Sequence, residues 1–249
     1  MRNAMKVGGF IATMDNAAAI GEKPQDIVPA SDQLTAYMTA RVTFLEQLAA
    51  QALPVQILLA NFSGDAAWSR YESGIQQVFE ETGLSCPAIA GSSESNMPTL
   101  QSGLAITMLG EIQQRKAWNP EQLSWYTYGL PLVGEELLAQ PDDVAQLQPV
   151  YQAWLAEIVQ QVWPVGSKGL QGECVRLFGE QVVECSHHMT KSAGPSTVIL
   201  LGVHPEKEQL AHQFFQRNFE KLRISPCNRV CLEQKDCLEN NPTSGTRII

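Results

Sequence analysis

The sequence is short of positive charge. Its 249 residues carry 17 Lys and Arg against 26 Asp and Glu, a net charge of −9, with a pI near 5.0. A nucleic-acid binder neutralises phosphates with a Lys/Arg patch. None is visible, which argues against a nucleic-acid partner. Long apolar runs are also missing: none reaches the roughly 18 residues of a transmembrane helix, so no membrane partner is expected. Met1–Gly9 lacks the charged start, apolar stretch and small-residue cleavage site of a signal peptide. The six cysteines are scattered, which fits reduced thiols better than a disulfide framework. Cys227, Cys231 and Cys237 are separated by three and five residues, not by the paired spacing of zinc knuckles. No phosphate-loop pattern G-x-x-x-x-G-K-[ST] occurs, and there is no internal repeat or low-complexity tract. These absences lead to the expectation of a soluble, cytoplasmic protein. What is present is a core, since 44% of residues are hydrophobic and 17% charged. That suits one large domain or two small ones.

Periodicity predicts alternating strands and helices. Gly9–Met14 reads as a buried strand ending at Asp15 and Asn16. Ser31 or Asp32 can cap a helix running to about Ala52, with Leu34, Met38, Val42, Leu45 and Leu48 on one face. Val55–Ala60 reads as a buried strand, and Asp65 as the cap of a helix ending at Gly83. Ala88–Gly91 and Leu104–Gly110 are further strands. The loop Gln113–Gln122 is the expected domain boundary. Beyond it come strand Leu123–Tyr128, helices Gly134–Gln140 and Asp142–Gln161, helix Gly169–Phe178, strands Val182–Ser186 and Thr197–Val203, and helix Pro205–Leu222. The rest is a polar, Cys-containing tail.

Three small-residue turns could carry chemistry. Gly91-Ser92-Ser93-Glu94 follows a strand, so its amides and hydroxyls can approach an anion while Glu94 holds a Mg²⁺ ion. It reads as readily as a serine-rich loop with a solvated Glu. Asp15 and Asn16 stand at another strand end, where the carboxylate could share that metal or simply make a turn. Gly166-Ser167-Lys168-Gly169 places a Lys before a helix, a fair phosphate site or an exposed helix start. Lys191–Thr197 is a fourth turn, read as structural for its Gly and Pro. His187 and His188 would point to opposite sides of an extended segment and read as surface or capping residues.

The run Ile89–Glu111, IAGSSESNMPTLQSGLAITMLGE, resembles the segment of aminoimidazole ribonucleotide (AIR) synthase-like proteins in which Gly-Gly-Glu-Thr-Ala-Glu-Met-Pro precedes a strand ending in Gly. Thr13-Met14-Asp15-Asn16 is similar to that superfamily's Thr-Asp-Gly strand end, and Ala52-Leu53-Pro54 to its Gly-Ala-x-Pro. Asn61-Phe62-Ser63-Gly64-Asp65, Gly129–Glu136, Val165–Gly169 and Lys191–Thr197 resemble the α-ribazole kinase branch. The resemblance covers nearly everything before the tail. It implies an α/β, two-domain AIR synthase-like architecture, with residues 1–112 and 120–224 as the domains and 225–249 as the tail. It also implies a homodimer, ATP and Mg²⁺ as cofactors, and a nucleoside-like small-molecule substrate. The reaction implied is phosphorylation of the 5′-hydroxyl of α-ribazole in cobalamin lower-ligand salvage. In that scheme Asp15 and Glu94 hold the metal. Asn16, Gly91, Ser92, Ser93, Gly166, Ser167 and Gly169 bind the nucleotide, and Lys168 and Asp65 act as phosphate contact and general base. The sequence departs from the synthases at Ala40-Arg41, where they carry Asn-Asp. That argues against AIR synthase activity itself and leaves Arg41 to contact phosphate or pair with an acid. A related enzyme that activates an oxygen by phosphorylation, or a non-catalytic protein retaining the fold, are the alternatives.

Overall fold

The computed structural model describes residues 3–226. In chain order the elements are β1 Ala4–Val7, β2 Phe10–Ala18, β3 Ile20–Gly21, β4 Val28–Pro29, α1 Asp32–Ala49, β5 Ala52–Asn61, α2 Trp68–Thr82, β6 Ile89–Ser93 and β7 Gly103–Ile112. There follow β8 Ser124–Tyr128, α3 Glu135–Ala139, α4 Leu147–Leu155, β9 Val159–Pro164, α5 Gly169–Phe178, β10 Val182–Glu184, β11 Ile199–Val203, α6 Glu208–Phe214, β12 Phe219–Lys221 and β13 Arg223–Ser225. Two main sheets form, in the orders β1-β2-β7-β5-β6 and β12-β8-β11-β9. The second is antiparallel throughout; in the first only β5 and β6 run parallel.

Helix α1 lies between them, packed on β2, β5 and β7 on one side and on β9 on the other. Ser31 starts it, its hydroxyl accepting from the Leu34 amide at 3.1 Å, and Asp32 sits at the positive end of the helix dipole. Because both sides are covered, Thr39, Arg41, Thr43, Glu46 and Gln47 are buried along with its apolar face. Each buried polar group therefore needs a partner. The Thr39 and Thr43 hydroxyls donate to carbonyls four residues back, at 2.9 and 2.8 Å. Gln47 Nε2 donates to Ile11 O, Thr13 Oγ1 and Met108 O, joining the helix to β2 and β7. Gly110 leaves room for that side chain, since a Cβ there would stand 2.1 Å from Gln47 Oε1. From β9, Gln161 Nε2 donates to Ala49 O at 2.8 Å. One apolar core runs through both sheets: Phe44 meets Phe79 of α2 and Tyr151 of α4 edge-on, each at 6.0 Å, and the cluster continues to Tyr126, Val162 and Leu201.

Several elements depart from the periodicity. The helix expected over Asp142–Gln161 is only α4; Glu157 turns left-handed at φ 53, and Val159–Pro164 becomes a fully buried strand beside β11. Pro149 is tolerated because it falls in the first turn of α4. The helix expected to Leu222 stops at Phe214. Asn218 at φ 52 then reverses the chain into β12, where Phe219 stacks on Tyr126 at 4.3 Å. Strand β2 continues to Ala18, so Asp15 and Asn16 lie within it. Helix α2 starts after the 3-10 turn Asp65–Ala67 with Ala67 at its cap position; Asp65 does not cap it. The expected tail begins inside β13, which pairs with β10; Cys227, Cys231 and Cys237 lie outside the described residues. No helix among the described residues is long and apolar enough to cross a membrane.

The face of the first sheet turned away from α1 is open. Met5, Val7, Phe10, Met14 and Leu58 are exposed there, with Val7 opposite Phe10 and Met14, Thr107 and Leu58 in one row.

At the far end of the second sheet Glu208 anchors α6. It accepts from Lys221 Nζ at 2.8 and 2.9 Å and from the Ser124 hydroxyl. Lys221 first, then Ser124, hold its carboxyl down at about 2, against an ordinary value of 4.5. A carboxyl whose folded value is depressed adds stability that is complete above the ordinary value and is lost as pH falls toward the folded one. Glu208→Gln is therefore expected to be less stable than wild type at neutral pH, with the gap closing between about pH 4.5 and 2. Urea unfolding across that window measures it, and a pH-independent gap would contradict the assignment.

Candidate functional site

Beside α1, a cleft of about 630 Å³ opens between the end of β2 and the turns of the second sheet. Small-molecule sites run from about 300 to 1,000 Å³. One wall is Asp15–Ala18 of β2 with Thr35, Met38, Thr39 and Val42 of α1; the other is Gly166, Ser167, Gly194, Pro195 and Ser196. Leu137 and Leu138 of α3 close an apolar side with Leu34 and Ile20.

The second wall is built from two turns that act as one. Gly169 N donates to Gly166 O, Ala193 N also reaches Gly166 O, and Gln171 N donates to Met189 O. Gly169 sits at φ +67, and a Cβ there would stand 2.6 Å from Lys191 O and 2.7 Å from Met189 O. Only glycine fits that junction. Lys191 pairs with Glu136 of α3 at 2.8 Å, which, with the Val133 amide, holds the Glu136 carboxyl below the usual range. Arg41 supports the wall from α1: its guanidinium is buried, Nη2 donates to Ser196 O at 3.0 Å, and Nε and Nη1 have no hydrogen-bond partner. Burial pushes its pKa down, with Tyr37 and Glu81 opposing.

Of the residues singled out in the sequence, the cleft brings together Asp15, Asn16, Gly166 and Ser167. Gly169 lies just behind. Lys168 stands exposed at the start of α5, its stem against Gly172. The others are elsewhere. The pairing register runs Asp15, Ile106, Leu59, Gly91 across four strands, so three strand spacings, about 14 Å, separate β2 from β6. Gly91, Ser92 and Ser93 therefore sit on the far edge. Gly91 is small because β5 passes close: a Cβ would meet Leu59 O at 1.8 Å. Ser93 Oγ accepts from Asn61, and Glu94 closes its own turn by accepting from the amides of Asn96 and Met97 at 2.8 and 3.1 Å. The expectation that Asp15 and Glu94 share one ion is thus not met within one chain. Among the described residues no group of three or more His, Cys, Asp or Glu is placed to hold a metal. Asp65 is exposed and does not line the cleft, which removes the geometric basis for a general-base role. Thr35, Thr39 and Ser196 line the cleft without having been singled out as site residues. Ser196 belongs to the Lys191–Thr197 turn, whose position in the chain was the available signal.

No protein-family model matches the sequence, and no curated protein matches it. Solved structures do. Hydrogenase maturation protein HypE superposes with a TM-score of 0.65 at 10% identity, over 91% of this chain and 83% of its own. Its complex with ATP gives 0.63 at 10% identity, over 91% and 79%. Thiamine monophosphate kinase ThiL from Aquifex aeolicus gives 0.61 at 11%, over 90% and 89%. PurL from T. maritima, complexed with AMPPCP, gives 0.55 at 12%, over 90% of this chain and 42% of that one. At these identities the likeness is one of fold: the chain has the mixed α/β, AIR synthase-like architecture.

The junction at Gly169 gives a direct check on the wall. Gly169→Ala combines left-handed backbone with carbonyl clashes and is expected to cost about 1–3 kcal/mol, read as a lower urea midpoint. An unchanged midpoint would show that the two turns are not tightly joined.

Proposed function

With that shared fold as the premise, we propose that the chain is an ATP-dependent phosphotransferase acting on the 5′-hydroxyl of an α-ribazole-type nucleoside. The observation that carries the reading is the cleft, which is lined both by Asp15 and Asn16 of β2 and by Gly166 and Ser167 just ahead of α5. The solved complexes of HypE with ATP and of PurL with AMPPCP support a nucleotide as one ligand. The cleft's own chemistry fits: Leu34, Met38, Val42, Leu137 and Leu138 offer an apolar side for a flat base. Across from them a buried serine hydroxyl lacks a protein partner, as expected where a polar ligand supplies it.

Phosphoryl transfer needs positioning and charge neutralisation more than covalent help. Lys168 and the amides of the Gly166–Lys168 turn hold phosphate just ahead of α5, since the Gly169 and Gln171 amides are already engaged. Asn16 orients the nucleotide from the facing wall. Asp15 is the carboxylate that would hold Mg²⁺, and one carboxylate with substrate phosphates is an ordinary donor set for that ion. When bound, the ion neutralises phosphate charge. Residues 1–112 and 120–224 are proposed as the two domains, each around one main sheet. The open apolar face of the first sheet is proposed to pair with a second copy of the chain, since contiguous exposed apolar surface of this kind marks an interface. Arg41, buried where the synthases carry Asp, favours a second reading in which the fold is kept without the chemistry.

Incubation with ATP, Mg²⁺ and α-ribazole, followed by mass analysis, is expected to yield a singly phosphorylated nucleoside. ATP-dependent phosphorylation of a different acceptor would place the chain with another enzyme of this fold, and no ATP-dependent product would favour the second reading. Asp15→Asn is expected to lower turnover ~10-fold or more, the scale of one lost charge-assisted contact. Glu94→Gln should stay near wild type. Light scattering is expected to report a dimer that Met14→Lys weakens; a monomeric wild type would remove the pairing.

A further inference from the structure

Ser196 differs from the threonine hydroxyls of the cleft. Thr35 and Thr39 donate to the carbonyls of Ser31 and Thr35, whereas the Ser196 hydroxyl has no partner although the residue is only 1% exposed. A buried hydroxyl left unpaired is costly, and native structures keep few of them. The backbone adds to that cost. Ser196 sits at φ 55, a left-handed conformation that non-glycine residues adopt only where their surroundings hold them.

The surroundings do hold it. Arg41 Nη2 binds its carbonyl at 3.0 Å. The next residue is clamped on every side: Thr197 N donates to Ala193 O, Thr197 O accepts from Ala145 N, and the Thr197 hydroxyl both accepts from Leu132 N and donates to Leu132 O. A strained backbone fixed this firmly, with an unpaired hydroxyl on a residue of the cleft wall, is a preorganised hydrogen-bond donor. Its charge environment selects the acceptor. The Arg41 guanidinium stands directly behind, its Nε and Nη1 without a hydrogen-bond partner, and the nearby Glu81 carboxylate is engaged by the Tyr37 hydroxyl at 3.0 Å. The link from Ala193 N to Gly166 O brings the Gly166-Ser167 turn alongside.

We infer that Ser196 is a phosphate-binding hydroxyl, donating to a phosphate oxygen of the cleft's ligand, and that Arg41 is the residue that positions it. The inference rests on the phosphotransferase reading for the occupant of the cleft. A nucleotide and a phosphorylated acceptor offer the same chemistry, and the binding assay separates them.

Binding of ATP, adenosine and ribose 5-phosphate is measured calorimetrically on wild type, Ser196→Ala and Ser196→Gly. Alanine keeps the strain and glycine relieves it, so the two variants should differ in melting temperature yet lose the same hydroxyl. The expected result is an affinity loss of about tenfold for ATP in both variants, with adenosine unchanged. The same loss for ribose 5-phosphate alone would also support Ser196 and assign it to the acceptor's phosphate. Unchanged affinity for both phosphates, a wild type that binds neither, or losses that follow melting temperature instead of the hydroxyl would each overturn the proposal. The phosphotransferase reading fails separately, if the wild type binds ATP but forms no phosphorylated product. Arg41→Lys should weaken ATP binding without abolishing folding, and normal binding in a folded Arg41→Lys would remove its positioning role.

Discussion

Helix α1 is enclosed by two sheets, and its burial is the constraint on which the rest of the structure depends. A surface helix can leave its polar residues in water; an enclosed one must satisfy them inside. The Gln47 amide nitrogen does so with backbone carbonyls of β2 and β7, and the Gln161 amide nitrogen reaches back from β9 to Ala49 O. These bonds fix the angle and depth at which the sheets approach the helix, so the apolar core around Phe44 is continuous from one to the other.

The cleft follows from that arrangement. With α1 fixed, its flank at Thr35, Met38 and Thr39 borders the cleft, and Gly166, Ser167 and Gly194–Ser196 of the two turns line it as well. Gly169 lets those turns touch, and Arg41 ties them to the helix. The same arginine that departs from the synthase pattern thus has a structural task, holding Ser196 where a carboxylate could not donate to its carbonyl.

Sheet order decided which candidates meet. Asp15 and Gly91 occupy one pairing row, yet β7 and β5 stand between them. Residue types and their positions after strands made both look like ligand sites, because each satisfies the local requirement of small or acidic groups at a strand end. Nothing local distinguishes an inner strand from an edge strand three places away. The turns at Gly166 and Lys191 lie 25 residues apart in the chain and share a wall, for the same reason in reverse.

Local chemistry was legible wherever a segment's own residues decide its conformation. Ser31 starts α1, Gly83 ends α2 in the left-handed conformation, and the buried strand within β5 follows from its apolar run. Periodicity failed at Val159–Pro164 and Phe219–Lys221, where short segments continue a helical pattern until a left-handed residue, Glu157 or Asn218, breaks it. Such a turn is strained by itself and persists because the strand that follows gains a place in the second sheet. The sequence by itself determined the mixed α/β class, the start of α1 and the end of α2. Tertiary structure alone decided that Asp15 shares a cleft with Ser167 and not with Glu94, because that choice depends on strand order, which is set by long-range pairing and the burial of α1.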